Sequence, residues 1–155
     1  MMRPFEIVYT VTDYYDGPRV GVADFNGAPH LYEAEWDEAA GDYADTFKLS
    51  PLDRETFEHA LEAWDIWLRW NKAFRNGLET LETHPALPAD RPRHNQLEEL
   101  LRVRLVTAAR PVRAFAEFRT DASRACGDKE TFAPLKVRWS RIDSADRPWQ
   151  NAAGS

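Results

Sequence analysis

Two segments near the N-terminus alternate apolar and polar side chains with the period of a β-strand. Alternation runs through residues 5–14 (FEIVYTVTDY) and resumes over residues 19–25. Asn26-Gly27 follows directly, and this dipeptide favours the two-residue hairpin turn in which both central residues need positive φ. The sequence therefore predicts a strand over 5–14 and a β-hairpin centred on Asn26-Gly27.

A two-residue turn fixes which hairpin residues face each other, because strand pairing proceeds outward from it in register. Gly21 is then opposite Tyr32, and Val22 is opposite Leu31. Glu33 and Glu35 share one face, which we expect to point to solvent or to a partner. The opposite face is expected to be buried and collects Phe25, His30, Tyr32, Ala34 and Trp36.

The rest of the chain divides into recognisable segments. Ser50-Pro51 is typical of a helix start, Gly77 is placed for a C-terminal cap, and the later strands alternate as the first ones do. The predicted segments, in order, are a loop over 37–45, a strand over 46–49, a helix from Pro51 to Asn76, a Pro-rich connection over 83–92, a helix from Pro92 to Val106, and strands over 112–119 and 135–141.

The long helix is apolar over more than half of its circumference. One stripe is predicted to be its core face and comprises Phe57, Ala60, Leu61, Trp64, Trp67, Leu68 and Asn71. The helical spacing of the tryptophans favours core packing over a ligand-binding wall. A second apolar set (Ala63, Ile66, Trp70, Phe74) needs its own cover, which either the second helix supplies or a homodimer contact through Ile66, Trp70 and Phe74.

These elements predict one α+β domain over residues 1–142. Its architecture is an antiparallel β-meander packed against the long Trp-rich helix and a second helix, with two further C-terminal strands. The chain has 155 residues, of which 43% are hydrophobic, and this is enough for one core. Residues 143–155 are predicted to form a weakly ordered tail.

The net charge of −6 is unevenly distributed along the chain. Residues 1–100 carry 9 basic and 20 acidic side chains, and residues 101–155 carry 11 and 6. We expect the basic C-terminal strands to lie beside the acidic N-terminal ones. No nucleic-acid partner is expected, because the pI is near 5.2 and alternation places Trp139 on the face opposite Lys136 and Arg138.

Motifs for cofactors, metals and covalent catalysis are not evident in the sequence. The histidines have no metal-ligand spacing, the single cysteine Cys126 has no partner thiol, and seven glycines form neither a phosphate loop nor a nucleophile elbow. We therefore expect no cofactor and no metal. A lone cysteine, no apolar run of about 18 residues and no leader pattern predict a cytoplasmic protein without a membrane partner.

These residues support two hypotheses about what the protein does. The first is a non-enzymatic protein whose acidic, aromatic surface engages a basic protein partner, as inhibitor or immunity-type proteins do. The alternative is that the acidic segment is a solvated loop that only keeps the protein soluble. The residues expected on this surface are Tyr14, Tyr15, Asp16, Glu33, Glu35, Asp37 and Trp70.

The second hypothesis is a small enzyme or ligand-binding domain. Its pocket is expected between the hairpin and the helices, because these elements supply both apolar walls and titratable groups. The candidate pocket residues are His30, His84 and His94, together with Glu33, Glu35 or Asp37.

Overall fold

A computed structural model describes residues 3–105, 111–124 and 133–142. Its strands are β1 (Glu6–Val8), β2 (Asp13–Tyr14), β3 (Pro18–Phe25), β4 (Ala28–Asp37), β5 (Asp42–Pro51), β6 (Val112–Thr120) and β7 (Leu135–Arg141). The helices are α1 (Arg54–Arg75) and α2 (Arg91–Leu105), with short 3-10 turns at Leu81–Thr83, Pro88–Asp90 and Ala122–Arg124. Three predictions lie outside the described residues: the helix end at Val106, Cys126, and the tail over 143–155.

Six of the strands close into an antiparallel barrel in the order β1-β7-β6-β5-β4-β3, because β1 pairs with both β7 and β3. β2 also pairs with β3 and lies outside this ring. The predicted α+β class is confirmed, and the meander β3-β4-β5 is present. The sheet is closed, however, since β6 joins β5 and β7 joins β1.

The main hydrophobic core fills the barrel. Four aromatic rings pack at its centre, with centroids 5.7 to 6.1 Å apart: Tyr32, Phe47, Phe118 and Trp139. The indole of Trp139 also donates to the carbonyl of Asp24 at 2.9 Å. Trp139 thus points inward, as its strand alternation predicts.

The predicted strand over 5–14 is interrupted. Val8 pairs with Ala23 and Asp13 pairs with Val20, so four residues on one strand oppose two on the other. The amides of Tyr9 and Thr10 both donate to the carbonyl of Val22, at 2.8 and 3.1 Å. This is the geometry of a β-bulge, which bends the chain and separates β1 from β2.

The hairpin register is confirmed, with Gly21 opposite Tyr32, Val22 opposite Leu31 and positive φ at Asn26 and Gly27. Both faces of the hairpin are covered, since Tyr32 is buried in the barrel and Val22 and Leu31 are buried outside it.

The predicted loop over 37–45 is wrong. β4 and β5 continue as a two-stranded extension in which Trp36 pairs with Tyr43 and Asp37 with Asp42. The Asp37 carboxylate accepts hydrogen bonds from the amides of Ala39 and Ala40 and so stabilises the tight turn. Trp36 was expected to be buried but is 52% exposed, because neither β3 nor β6 extends this far.

The long helix begins later than the sequence suggests. Ser50 and Pro51 belong to β5, and Asp53 is the N-cap, accepting from the amide of Thr56 at 2.7 Å. Gly77 follows the helix with φ of +74°, as expected for a C-terminal cap.

The second apolar set of α1 is covered by the same chain. Ile66 is 1% exposed and packs against Ala86 and Leu97, while Trp70 is 3% exposed and donates its indole proton to Thr83 at 2.8 Å. α2 and the connection before it therefore supply the cover. Ile66 and Trp70 are not on the surface for the expected dimer or partner contact; of that set, Phe74 is exposed.

Acidic and basic ends of the chain meet on the outer face of the barrel, as their charges suggest. Arg113 on β6 donates to the Glu35 carboxylate on β4 at 2.8 Å. Burial of Glu35 on its own raises the pKa of this carboxyl, but hydrogen bonds from Arg113 and Thr46 outweigh burial and hold the pKa below its ordinary value of 4.5.

Glu35→Gln is expected to lower the free energy of unfolding at pH 7 by about 1–2 kcal/mol. A depressed pKa in the folded state stabilises the protein above pH 4.5, and this contribution disappears as pH falls through the folded-state pKa. Urea titrations of wild type and variant across acidic pH should therefore converge at low pH. Glu33→Gln, on the same strand face, should cost less, and a gap that persists at low pH would contradict the assignment.

Candidate functional site

A cleft of about 650 Å³ lies between the outer face of the hairpin and the two helices. A volume of this size is typical of small-molecule sites. Strands β2, β3 and β4, helices α1 and α2, and the segments beside them line the cleft. The lining residues are Thr10, Val11, Thr12, Tyr14, Val20, Gly21, Val22, Leu31, Leu52, Ala60, Ala63, Trp64, Trp67, His84, Pro85, His94, Glu98 and Leu101.

Small residues on α1 leave the space that forms the cleft. Ala60 and Ala63 lie along the helix face turned to the hairpin, and their short side chains do not reach its apolar floor. Trp64 and Trp67 flank them with stacked rings, 4.9 Å apart and inclined by 19°. In the stripe predicted to be the core face of α1, Asn71 is buried, but the other six residues are only half-buried, and Ala60, Trp64 and Trp67 among them line the cleft.

Three polar side chains form one end of the cleft. His94 and Glu98 lie one turn apart on α2, with Nε2 and Oε2 separated by 3.7 Å. His84 stands edge-on to the Trp70 ring at 4.6 Å, and Arg91 donates to its carbonyl at 3.3 Å. The contacts of His84 with the buried Trp70 ring and with Arg91 therefore fix the position of this end of the cleft.

The expected pocket residues are only partly brought together. His84 and His94 line the cleft, as does Tyr14, but His30 does not; its Nδ1 contacts the carbonyl of Ala28 at 2.8 Å. The expected acids, Glu33, Glu35 and Asp37, are also absent from the lining. The carboxylate present instead is Glu98, whose spacing of four residues from His94 on a predicted helix was the available signal.

A second surface gathers exposed aromatic rings beside the β4-β5 extension. The ring of Tyr43 lies 5.2 Å from Trp36 and 6.1 Å from Tyr15, and Tyr15 is 63% exposed. Together with Asp16, Asp37 and Asp42, these three rings form what we call the acidic aromatic surface. Tyr43 was missed because its segment was predicted to be a loop.

Several charges near this surface already have partners. Arg19 lies 4.6 Å above the Tyr43 ring, and the Asp42 carboxylate accepts from the Tyr43 amide at 2.7 Å. Asp37 caps its own turn, and Glu35 is paired with Arg113 on the barrel. Arg19 and Arg113 thus offset part of the negative charge, whereas Asp37 and Asp42 keep theirs because their donors are neutral backbone amides.

A half-buried tyrosine-carboxylate pair adjoins the cleft. Tyr9 donates to Asp24 at 3.0 Å and lines a smaller cavity of about 140 Å³ that shares Thr10, Val11 and Trp64 with the cleft. Burial, followed by the hydrogen bond to Asp24, raises the pKa of Tyr9 to about 12. Tyr9 is therefore a hydrogen-bond donor at neutral pH, and its contact with the Phe57 ring at 4.9 Å anchors α1 to the barrel.

Comparisons with known proteins give no information about this site. No family model, curated protein or solved structure matches the chain. Within the described ranges, no three histidine, cysteine, aspartate or glutamate side chains cluster as metal ligands. In the same part of the chain, neither helix has the length and apolar character needed to cross a membrane.

Proposed function

We propose that this protein binds a small, largely apolar molecule in the cleft between the hairpin and the helices. The observation that carries the proposal is the cleft itself: about 650 Å³, with aliphatic side chains from β3 and β4 on one side and stacked indoles on the other. Removing a ligand's apolar area from water there supplies affinity, and the polar end orients it.

Binding is favoured over catalysis by the chemistry of the lining. The described lining includes no serine, cysteine or lysine, and its threonine hydroxyls bond to the backbone: Thr10 accepts from the Val22 amide and Thr12 donates to the Val20 carbonyl. His94 and Glu98 lie 3.7 Å apart, which is longer than a hydrogen bond, and Glu98 is largely exposed. We therefore assign these groups to ligand orientation.

Ala60→Leu is expected to weaken binding of the neutral dye Nile red about tenfold or more, because the added methyl groups project into the cleft. Dye fluorescence titrated against purified protein measures this directly. The matched control is Ala73→Leu, a half-buried alanine of the same helix that does not line the cleft. Equal binding by both variants, or no binding by wild type, would contradict the proposal.

The acidic aromatic surface supports a second candidate function, recognition of a basic protein. Three rings grouped around Tyr43 offer apolar anchors, and residues 33–45 contain six acidic and no basic side chains, which would steer a positively charged partner. We rank it second because two cations of the same chain already occupy this region: Arg113 pairs with Glu35, and Arg19 lies over the Tyr43 ring.

The double variant Tyr15→Ala, Trp36→Ala is expected to lose any basic partner that the wild-type protein retains from a cell lysate at low salt. Raising the salt concentration should release the same partner, because steering charges are screened. Leu78→Ala is the control, since Leu78 is an exposed apolar side chain that follows α1 and belongs to no strand of this surface. Retention of nothing basic, or equal retention by the double variant, would argue against this function.

A further inference from the structure

The cleft has an uneven balance of charge among its lining residues. Glu98 is the one formally charged side chain among the described residues that line it, and no lysine or arginine is among them. The protein as a whole carries a net charge of −6. An anionic ligand would enter against this field and find no cationic side chain in the described lining to neutralise it.

We propose that the ligand is a lipophilic amine: a ring-bearing apolar molecule with a protonated amino group. The ammonium group lies at Glu98, whose carboxylate accepts its hydrogen bonds, and the ring system lies between the indoles of α1 and the floor of the hairpin. This inference rests on the proposed binding function and adds to it the class of ligand.

Aromatic groups reinforce the preference for a cation. Trp64, Trp67 and Tyr14 all line the cleft, and the negative faces of such rings attract ammonium groups where water is partly excluded. His94 lies 3.7 Å from Glu98, so its imidazole is placed to accept or donate a second hydrogen bond beside the carboxylate.

The floor and walls suit the apolar part of such a ligand. Val22 and Leu31 are buried side chains that present a continuous aliphatic surface across β3 and β4. Trp64 and Trp67, whose rings are stacked on each other, also line the cleft and offer aromatic contacts to a planar ring system. A fused two-ring body therefore fits the lining better than a highly polar one.

Three probes that share one ring system separate charge from apolar binding: naphthalene-1-methylamine, naphthalene-1-methanol and naphthalene-1-carboxylate. Calorimetric titration of the full chain at pH 7 should show the amine binding about fivefold more tightly than the alcohol, since the Glu98 carboxylate is largely exposed, and the carboxylate binding most weakly. Equal affinity for all three, or tighter binding of the carboxylate, would overturn the inference while leaving the cleft as an apolar site. Failure of all three to bind would count against the proposed function too.

Glu98→Gln is expected to remove the preference for the amine over the alcohol, measured as the ratio of the two affinities for each form of the protein. The control is Glu99→Gln, which removes the same charge one residue along α2 at a side chain that pairs with Arg102 and does not line the cleft. If the amine keeps its advantage in Glu98→Gln, or loses it equally in Glu99→Gln, Glu98 is not the group that selects it.

Discussion

Gly21→Ala is expected to lower the free energy of unfolding by about 3 kcal/mol or more, or to prevent folding. A Cβ atom at this position would lie 2.1 Å from the carbonyl oxygen of Thr10 and 2.5 Å from the hydroxyl of Tyr32. These are the atoms that hold the bulge, since Tyr32 donates to that carbonyl at 2.8 Å. Chemical denaturation followed by circular dichroism measures the loss.

Tyr32→Phe provides a second test of the same packing. In the wild-type background it breaks a buried hydrogen bond, whereas beside Gly21→Ala it also removes one of the three atoms that would lie within 3 Å of the added Cβ. The two substitutions should therefore cost less together than the sum of their separate costs. A Gly21→Ala protein that unfolds within about 1 kcal/mol of wild type would show that the bulge is not packed as described.

Trp139→Ala is expected to cost about 3–5 kcal/mol, because it empties the centre of the barrel. The side chain is buried and touches the rings of Tyr32, Phe47 and Phe118. Removing it also deprives the Asp24 carbonyl of its indole donor. Urea denaturation gives the change in stability.

Trp139→Phe separates volume from hydrogen bonding. Phenylalanine keeps much of the apolar contact and loses the 2.9 Å bond to Asp24, so an intermediate loss is expected. Phe115→Ala, at an exposed ring on neighbouring β6, should change stability much less. Similar losses for Trp139→Ala and Phe115→Ala would mean that the barrel centre is not the main core.

Local patterns were sufficient to predict the hairpin. Asn26-Gly27 sets both the turn and the register, and the pairing of Gly21 with Tyr32 follows from it without any long-range information. The strands over 112–119 and 135–141 were found by the same alternation, and the observed β6 and β7 match them closely.

Closure of the sheet could not be predicted in this way. It depends on β1 pairing with β7, which is more than 120 residues away along the chain. Alternation gives the face of each strand but not its neighbour. The turn between Asp37 and Asp42 was also missed, because a polar segment containing Gly41 looks the same whether or not strands continue on either side.

A cleft lies between the hairpin and the helices, where the sequence led us to expect a pocket, but most of its lining residues were not predicted. His84 and His94 were identified, yet their expected partners, Glu33 and Glu35, lie outside the cleft lining because strand alternation and the pairing with Arg113 direct them elsewhere. The cleft itself arises where α1 and α2 leave space above the hairpin. The size of that space depends on how the two helices pack against the sheet. The apolar stripe of one helix does not determine that packing.

The burial of the long helix was also only partly predictable from the sequence. The need for cover on two sides followed from its apolar circumference, and the structure supplies it. Which side is more fully buried did not follow. Ile66 and Trp70, which belong to the second apolar set, are almost inaccessible to solvent. Trp64 and Trp67, from the predicted core face, are half-buried at the cleft.

The most direct test of the cleft as the binding site is solution NMR of methyl-labelled protein with naphthalene-1-methanol bound. We predict intermolecular nuclear Overhauser effects from the probe's ring protons to the methyl groups of Val22, Leu31 and Leu101, which line the cleft. Effects confined to Leu78 and Leu81, the exposed leucines after α1, with none at the three cleft residues, would contradict the account.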